Sequence, residues 1–177
     1  MKTISKIFAL LLVLGASAFT VFQSSNWKVK EEAYSVSFKG PKVEGIIKGL
    51  KASISFDPAK PENAKISASM DANSLNTGNG MMNKHAKSDE ALDVEKFPTI
   101  TFESTSISGK NGSYSAKGKL SMKGITKEMD LPFTFENANG EGIIKGKFNV
   151  VSKDFNITRK GAPESFEITL VIPVTNK

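Results

Sequence analysis

The sequence predicts an all-β fold, an antiparallel barrel or sandwich of roughly eight strands with one short helical insert. Three observations predict it. Apolar and polar residues alternate with a period of two along most of the chain, the mark of strands buried on one face. The alternating runs are separated by short Gly, Pro and Asn-Gly signals, as antiparallel strands joined by tight turns require. In one stretch, Gly80 to Val94, the alternation stops.

A first strand is expected from Trp27 to about Phe38, with Tyr34, Val36 and Phe38 on one parity. Gly40-Pro41 turns the chain. From Val43 to Asp57 it is extended again, with Leu50, Ala52, Ile54 and Phe56 on one face, until Asp57-Pro58 and Lys60-Pro61 break it. Ala64, Ile66, Ala68, Met70 and Ala72 then alternate with polar residues in the most regular run of all. In the insert, Met81, Met82, His85, Ala86, Ala91, Leu92 and Val94 fall three and four apart, predicting a short helix or lid that Pro98 ends. Ile100 and Phe102 open the next strand, which runs to about Ile107 and turns at Asn111-Gly112. Tyr114, Ala116, Gly118, Leu120 and Met122 share one face of the return strand. After Gly124 come Met129, Leu131, Phe133 and Phe135, then a turn at Asn139-Gly140. Ile144, Gly146, Phe148 and Val150 follow; a loop from Phe155 to Pro163 carries Arg159; and Phe166, Ile168, Leu170, Ile172 and Val174 line the last strand.

Residues 1–18 read as a secretory leader rather than part of the fold. Lys2 and Lys6 precede the apolar run Ile7–Leu14, and Ala16-Ser17-Ala18 has the small-residue spacing of a cleavage site. The run is too short to span a bilayer. Cleavage after Ala18 places residues 19–177 in the periplasm or outside the cell as one domain. The absence of Cys excludes disulfides, thiolate metal sites and cysteine nucleophiles. The net charge of +6 comes almost wholly from Lys, with Arg159 the one Arg in the chain. The Lys residues are spread rather than clustered, which argues against nucleic-acid binding and suits at most a weak contact with anionic membrane surfaces.

The inward positions mix large side chains with Ala and Gly. Periodicity alone leaves two readings open: a filled core in which large and small interdigitate, or a barrel with room for one ligand. At this point a resemblance enters. Phe56-Asp57-Pro58, Ser74-Leu75-Asn76-Thr77, His85 with Lys87-Ser88, the long run Leu92-Asp93-Val94-Glu95-Lys96-Phe97-Pro98-Thr99-Ile100-Thr101-Phe102-Glu103-Ser104, Gly118 to Thr126, and Ile157-Thr158-Arg159 occur in the order and spacing of the YceI-like family. The chain resembles that family from Trp27 to about Pro173. The resemblance implies an extended, lipocalin-like antiparallel barrel of eight strands. It also implies a non-catalytic role: holding a long apolar lipid, a polyisoprenoid, isoprenoid quinone or fatty-acid-like molecule, inside it. The departures fall at the insert, where Met82-Asn83-Lys84 and Ala91-Leu92 stand, and at Lys160 after the Arg. They leave the ligand's identity open.

On that reading the candidate ligand-binding residues are Phe38, Phe56, Met70, Met81, Met82, His85, Leu92, Phe97, Phe102, Leu120, Met122, Phe133, Phe148, Arg159 and Phe166. The tail would lie among the aromatics and methionines, with the polar end near the insert. Taken alone, His85 reads as packing the insert onto the barrel or as a contact to a head group. Arg159 reads as capping the loop carbonyls, as paired with Asp154 or Glu164, or as meeting a ligand's phosphate or quinone oxygen. No nucleophile, base and orienter come together, and one His is not a metal site. No catalytic residue, metal or cofactor is expected beyond a non-covalent isoprenoid lipid. A monomer and a homodimer fit equally. The competing function is a filled-core envelope or stress-response protein that acts through its Lys-rich surface.

Overall fold

In a computed structural model, residues 25–176 are described, and the leader expected over residues 1–18 lies outside them. Ten strand segments occupy eight positions of a closed antiparallel barrel: β1 Asn26–Val29, β2 Ser35–Gly40, β3 Val43–Ile46, β4 Lys51–Ser55, β5 Lys65–Asp71, β6 Thr99–Lys110, β7 Ser113–Met122, β8 Ile125–Ala138, β9 Glu141–Val151 and β10 Ser165–Thr175. Neighbours from β4 to β10 pair in sequence order. β10 pairs with β9 on one edge and with β2 and β1 on the other, which closes the cylinder. The all-β class and the eight-stranded barrel are therefore as expected.

The first two positions differ from expectation, because each is broken. β1 and β2 share one position and β3 and β4 the next, with gaps at residues 30–34 and 47–50. Gly49, at φ +73°, turns the second gap, a backbone region that favours glycine. Single hydrogen bonds carry the ladder across. The Ile47 N–H donates to the Val36 carbonyl at 3.0 Å. The Leu50 N–H donates to the Tyr34 hydroxyl at 3.0 Å, and the Asp71 N–H to the Lys48 carbonyl at 3.2 Å. The alternation lapses at both gaps, at Lys30-Glu31-Glu32 and at Lys48-Gly49, a local signal that the expected continuous strands passed over.

The hairpin turns are as the Asn-Gly signals require. Asn111 and Gly112 have φ of 55° and 82°, and Asn139 and Gly140 of 53° and 80°. Two positive values in a row make the tight turn whose twist matches that of paired strands.

One end of the barrel is sealed by aromatic rings. Phe56 is the hub, edge-on to Tyr114, Phe133 and Phe135 at 4.9, 5.7 and 5.1 Å. Trp27 meets Phe135 edge-on at 5.0 Å. The Trp27 indole and the Tyr114 hydroxyl both find carbonyl acceptors, at Phe56 and Pro58, so the floor buries large rings without stranding their polar atoms.

The insert borders the opposite end. Helix α1, Gly80–Lys87, starts at Asn79, whose side chain accepts from the N–H groups of Met81 and Met82, a standard N-cap. It ends seven residues earlier than the expected Val94. Ser88 is extended, and Asp93 adopts a left-handed φ of 48°. Ala91, Leu92 and Val94 are buried through a series of turns rather than on a helical face. Among the described residues no helix is long and apolar enough to cross a membrane.

Candidate functional site: an apolar lumen with a basic mouth

Between the aromatic floor and the insert lies a cavity of about 390 Å³, within the range of about 300–1,000 Å³ common for small-molecule sites. Its walls are the inward positions of the strands. Val36 and Phe38 come from β2, Ala52 and Ile54 from β4, and Ile66, Ala68 and Met70 from β5. Phe102 on β6 faces Ala116, Leu120 and Met122 on β7, and the far wall is Leu131, Phe133, Ile144, Phe148 and the inner face of β10.

Two of the lumen's large rings lie over glycines. A Cβ on Gly118 would stand 2.5 Å from the Phe102 ring, and one on Gly45 would stand 2.6 Å from the Phe38 ring. Gly45 faces Phe38 directly in the β2–β3 register. Each ring fills space that a side chain on the adjacent strand would take. Ala52, Ala68 and Ala116 line the remainder. Large and small residues thus combine to leave a void instead of interdigitating to fill one.

Three loops and the insert frame the mouth. Met82, His85 and Ala86 of α1 and Leu92 beyond it line one side. The β9–β10 loop lines the other with Ile157, Arg159, Ala162 and Pro163, and the β2–β3 turn adds Lys42 and Val43. These pieces are tied together. The Thr158 N–H donates to the Glu90 carbonyl at 3.1 Å, joining loop to insert. The Lys123 ammonium donates to the Asn156 carbonyl at 2.8 Å, joining the loop to the β7–β8 turn. Pro163 packs on Gly40, where an added Cβ would stand 2.6 Å from its ring.

Twelve of the fifteen residues singled out in the sequence come together around this cavity: Phe38, Met70, Met82, His85, Leu92, Phe102, Leu120, Met122, Phe133, Phe148, Arg159 and Phe166. Three do not. Phe56 has the inward parity but lies beneath the cavity as the floor's hub, 1% exposed. Met81 points away from the helix face that Met82 and Ala86 present, and is 71% exposed. Phe97 packs on Gly124 outside the lumen, its ring 2.7 Å from where a Cβ would stand. Lys42 lines the mouth although sequence reasoning passed over it. Strand direction was the available signal, since the β2–β3 turn falls at the same barrel end as the insert.

The ionisable groups lining the cavity are Lys42, His85 and Arg159; no carboxylate lines it among the described residues. The ion pair expected between Arg159 and Asp154 or Glu164 does not form: the four ion pairs among the described residues join Lys to Asp or Glu elsewhere on the surface. Also among the described residues, no three His, Cys, Asp or Glu side chains are arranged to hold a metal.

The YceI-like domain family matches residues 27–175. The chain belongs to that family. Protein YceI of Salmonella newport (strain SL254) is 31% identical over 159 residues, covering 84% of this chain and 78% of the relative. Among solved structures, Burkholderia cenocepacia BcnA superposes with a TM-score of 0.79 at 23% identity, over 84% of this chain and 100% of that one. The Campylobacter jejuni YCEI protein gives 0.71 at 20% identity, over 78% and 88%. A polyisoprenoid binding domain from Saccharophagus degradans gives 0.68 at 10% identity, over 85% and 98%. These structures share the fold of this YceI-like chain.

Proposed function

We infer that this YceI-like protein holds a long apolar lipid in its barrel and performs no chemistry on it. The observation that carries the reading is the apolar lumen, sealed by rings at one end and open between tied loops at the other. Burying a tail is favourable by about 0.8 kcal/mol per CH₂. A tail of about sixteen carbons therefore gains about 13 kcal/mol gross. Association costs of about 4 kcal/mol or more reduce that gain, which still leaves binding in a useful range. A polyisoprenoid, an isoprenoid quinone or a long acyl chain fits this chemistry, and the shared fold of the Saccharophagus degradans polyisoprenoid binding domain supports the same class. The leader-like residues 1–18 support export, so the protein would carry its lipid through an aqueous compartment beyond the inner membrane. A filled-core envelope protein acting through surface Lys is the weaker reading, because a filled core leaves no lumen.

Native mass spectrometry of the protein purified gently from its own host, followed by solvent extraction, tests the carrier reading. A co-purifying mass of several hundred daltons that partitions into hexane is expected. If delipidated protein then shows no saturable binding of isoprenoid quinones or fluorescent fatty acids, the reading is overturned.

A further inference from the structure

We propose that the mouth selects amphiphiles whose polar end is anionic, a carboxylate or a phosphate, and that Arg159 and Lys42 hold it. The proposal rests on the lipid-carrier reading and adds the chemistry of the cargo's other end.

The asymmetry of charge points to it. Lys42 and Arg159 are cationic, His85 lines the same cavity, and no Asp or Glu lines it among the described residues. In a protein with 18 acidic residues, a mouth lined only by basic ones leaves its positive charge locally uncompensated. Some lysines of the barrel surface do have carboxylate partners, as Lys147 has Glu167 and Lys145 has Glu136. Lys117 and Lys119 likewise face Asp130 and Glu128 across the β7–β8 ladder.

Arg159 is placed as an anchor would be. It is half-buried, and its backbone is pinned on both sides: the Thr158 N–H is held by the Glu90 carbonyl, and the Arg159 carbonyl accepts from the Ala162 N–H at 3.0 Å. No ion pair or side-chain hydrogen bond is made by Arg159 or Lys42 among the described residues. A guanidinium beside apolar walls is weakly hydrated and presents a planar fork matched to carboxylate and phosphate. A neutral quinone or alcohol would leave both cations without a counter-charge; an anionic head would supply one where the tail enters the lumen.

The test compares three probes of one tail length, hexadecanol, palmitate and hexadecyl phosphate, against delipidated protein. The variants are Arg159→Gln, Lys42→Gln and the double substitution. On the unmodified protein at least one anionic probe is expected to bind about tenfold or more tighter than hexadecanol, the yield of a charge-assisted hydrogen bond in a dry setting. The advantage should shrink with added salt. The double variant is expected to lose that advantage while its midpoint of denaturant unfolding stays that of the unmodified protein, which shows that the barrel is intact. Arg159→Lys should restore part of it. Whether palmitate or hexadecyl phosphate leads identifies the head group as carboxylate or phosphate. Hexadecanol binding as tightly as both anions overturns the proposal and leaves the carrier reading standing, as does an anionic advantage that survives in the double variant. Failure of all three probes to bind overturns both.

Discussion

The indole N–H of Trp27 donates to the carbonyl oxygen of Phe56 at 2.9 Å, linking β1 to the residue that follows β4. Both residues are buried, at 4% and 1% exposure. This bond and the rings around it close the barrel floor far from the mouth. Trp27→Phe keeps a ring but removes the donor, leaving a buried carbonyl without its partner. The expected loss is about 1–3 kcal/mol of stability, read from the midpoint of denaturant unfolding, with ligand affinity unchanged. An unmoved midpoint would show that the bond contributes nothing net.

Leu120→Trp distinguishes a lumen from a filled core. Leu120 faces Phe102 across the β6–β7 ladder and lines the cavity. In a filled core the added bulk would cost about 1–3 kcal/mol. Here the ring has space to enter, so the melting temperature should stay close to that of the unmodified protein while lipid capacity falls. A marked drop in melting temperature with lipid binding retained would contradict an open lumen.

Gly118→Ala tests the idea that rings laid over glycines keep the cavity open. The new methyl would stand 2.4 Å from the Glu103 carbonyl and 2.5 Å from the Phe102 ring. The backbone cannot retreat within its ladder, so Phe102 must swing inward. We expect a stability loss of about 1–3 kcal/mol, the usual cost of overpacking, together with weaker lipid binding. Gly118→Ala/Phe102→Leu removes the ring contact but leaves the one with the Glu103 carbonyl, so it should recover only part of the stability while restoring room in the lumen.

Asp93 bends the insert with a φ of 48°, and its carbonyl accepts from the Lys96 and Phe97 N–H groups at 3.1 and 2.8 Å. Asp is one of the few residues that tolerates this region, and a β-branched side chain is penalised there. Asp93→Val should destabilise the protein by about 1–3 kcal/mol. Asp93→Gly should lie within about 1 kcal/mol of the unmodified protein, because its ion pair with the largely exposed Lys96 is of the weak surface kind. Thermal unfolding of both variants checks the order, and equal losses would remove backbone strain as the explanation.

Much of the barrel is legible in the sequence because period two and Asn-Gly turns are local signals. β7 shows it well: Tyr114, Ala116, Gly118, Leu120 and Met122 were all expected inward, and all are buried. The unread features depend on relations between strands. Phe56 has the right parity, but only the closure of the barrel decides that it lies below the lumen. Met81 and Met82 are chemically identical neighbours, separated by the helix's rotation into solvent and cavity. Lys42 sits in a turn whose importance comes from which loops share its end. Two rings beside the void lie over glycines: Phe38 over Gly45, its own ladder partner, and Phe102 over Gly118, two residues from its partner Leu120, a relation between strands that one strand's sequence does not contain.

The paired gaps at residues 30–34 and 47–50 lie side by side. Six of the barrel's staves are single pieces, and the remaining two, adjacent to each other, are each made of two short lengths. Cross-strand bonding is thinnest there, so amide protons flanking the gaps should exchange with solvent sooner than those of β7, β8 and β9. The girth of the cask is set by its long staves, and its weakest seam is the pair of broken ones that lie side by side.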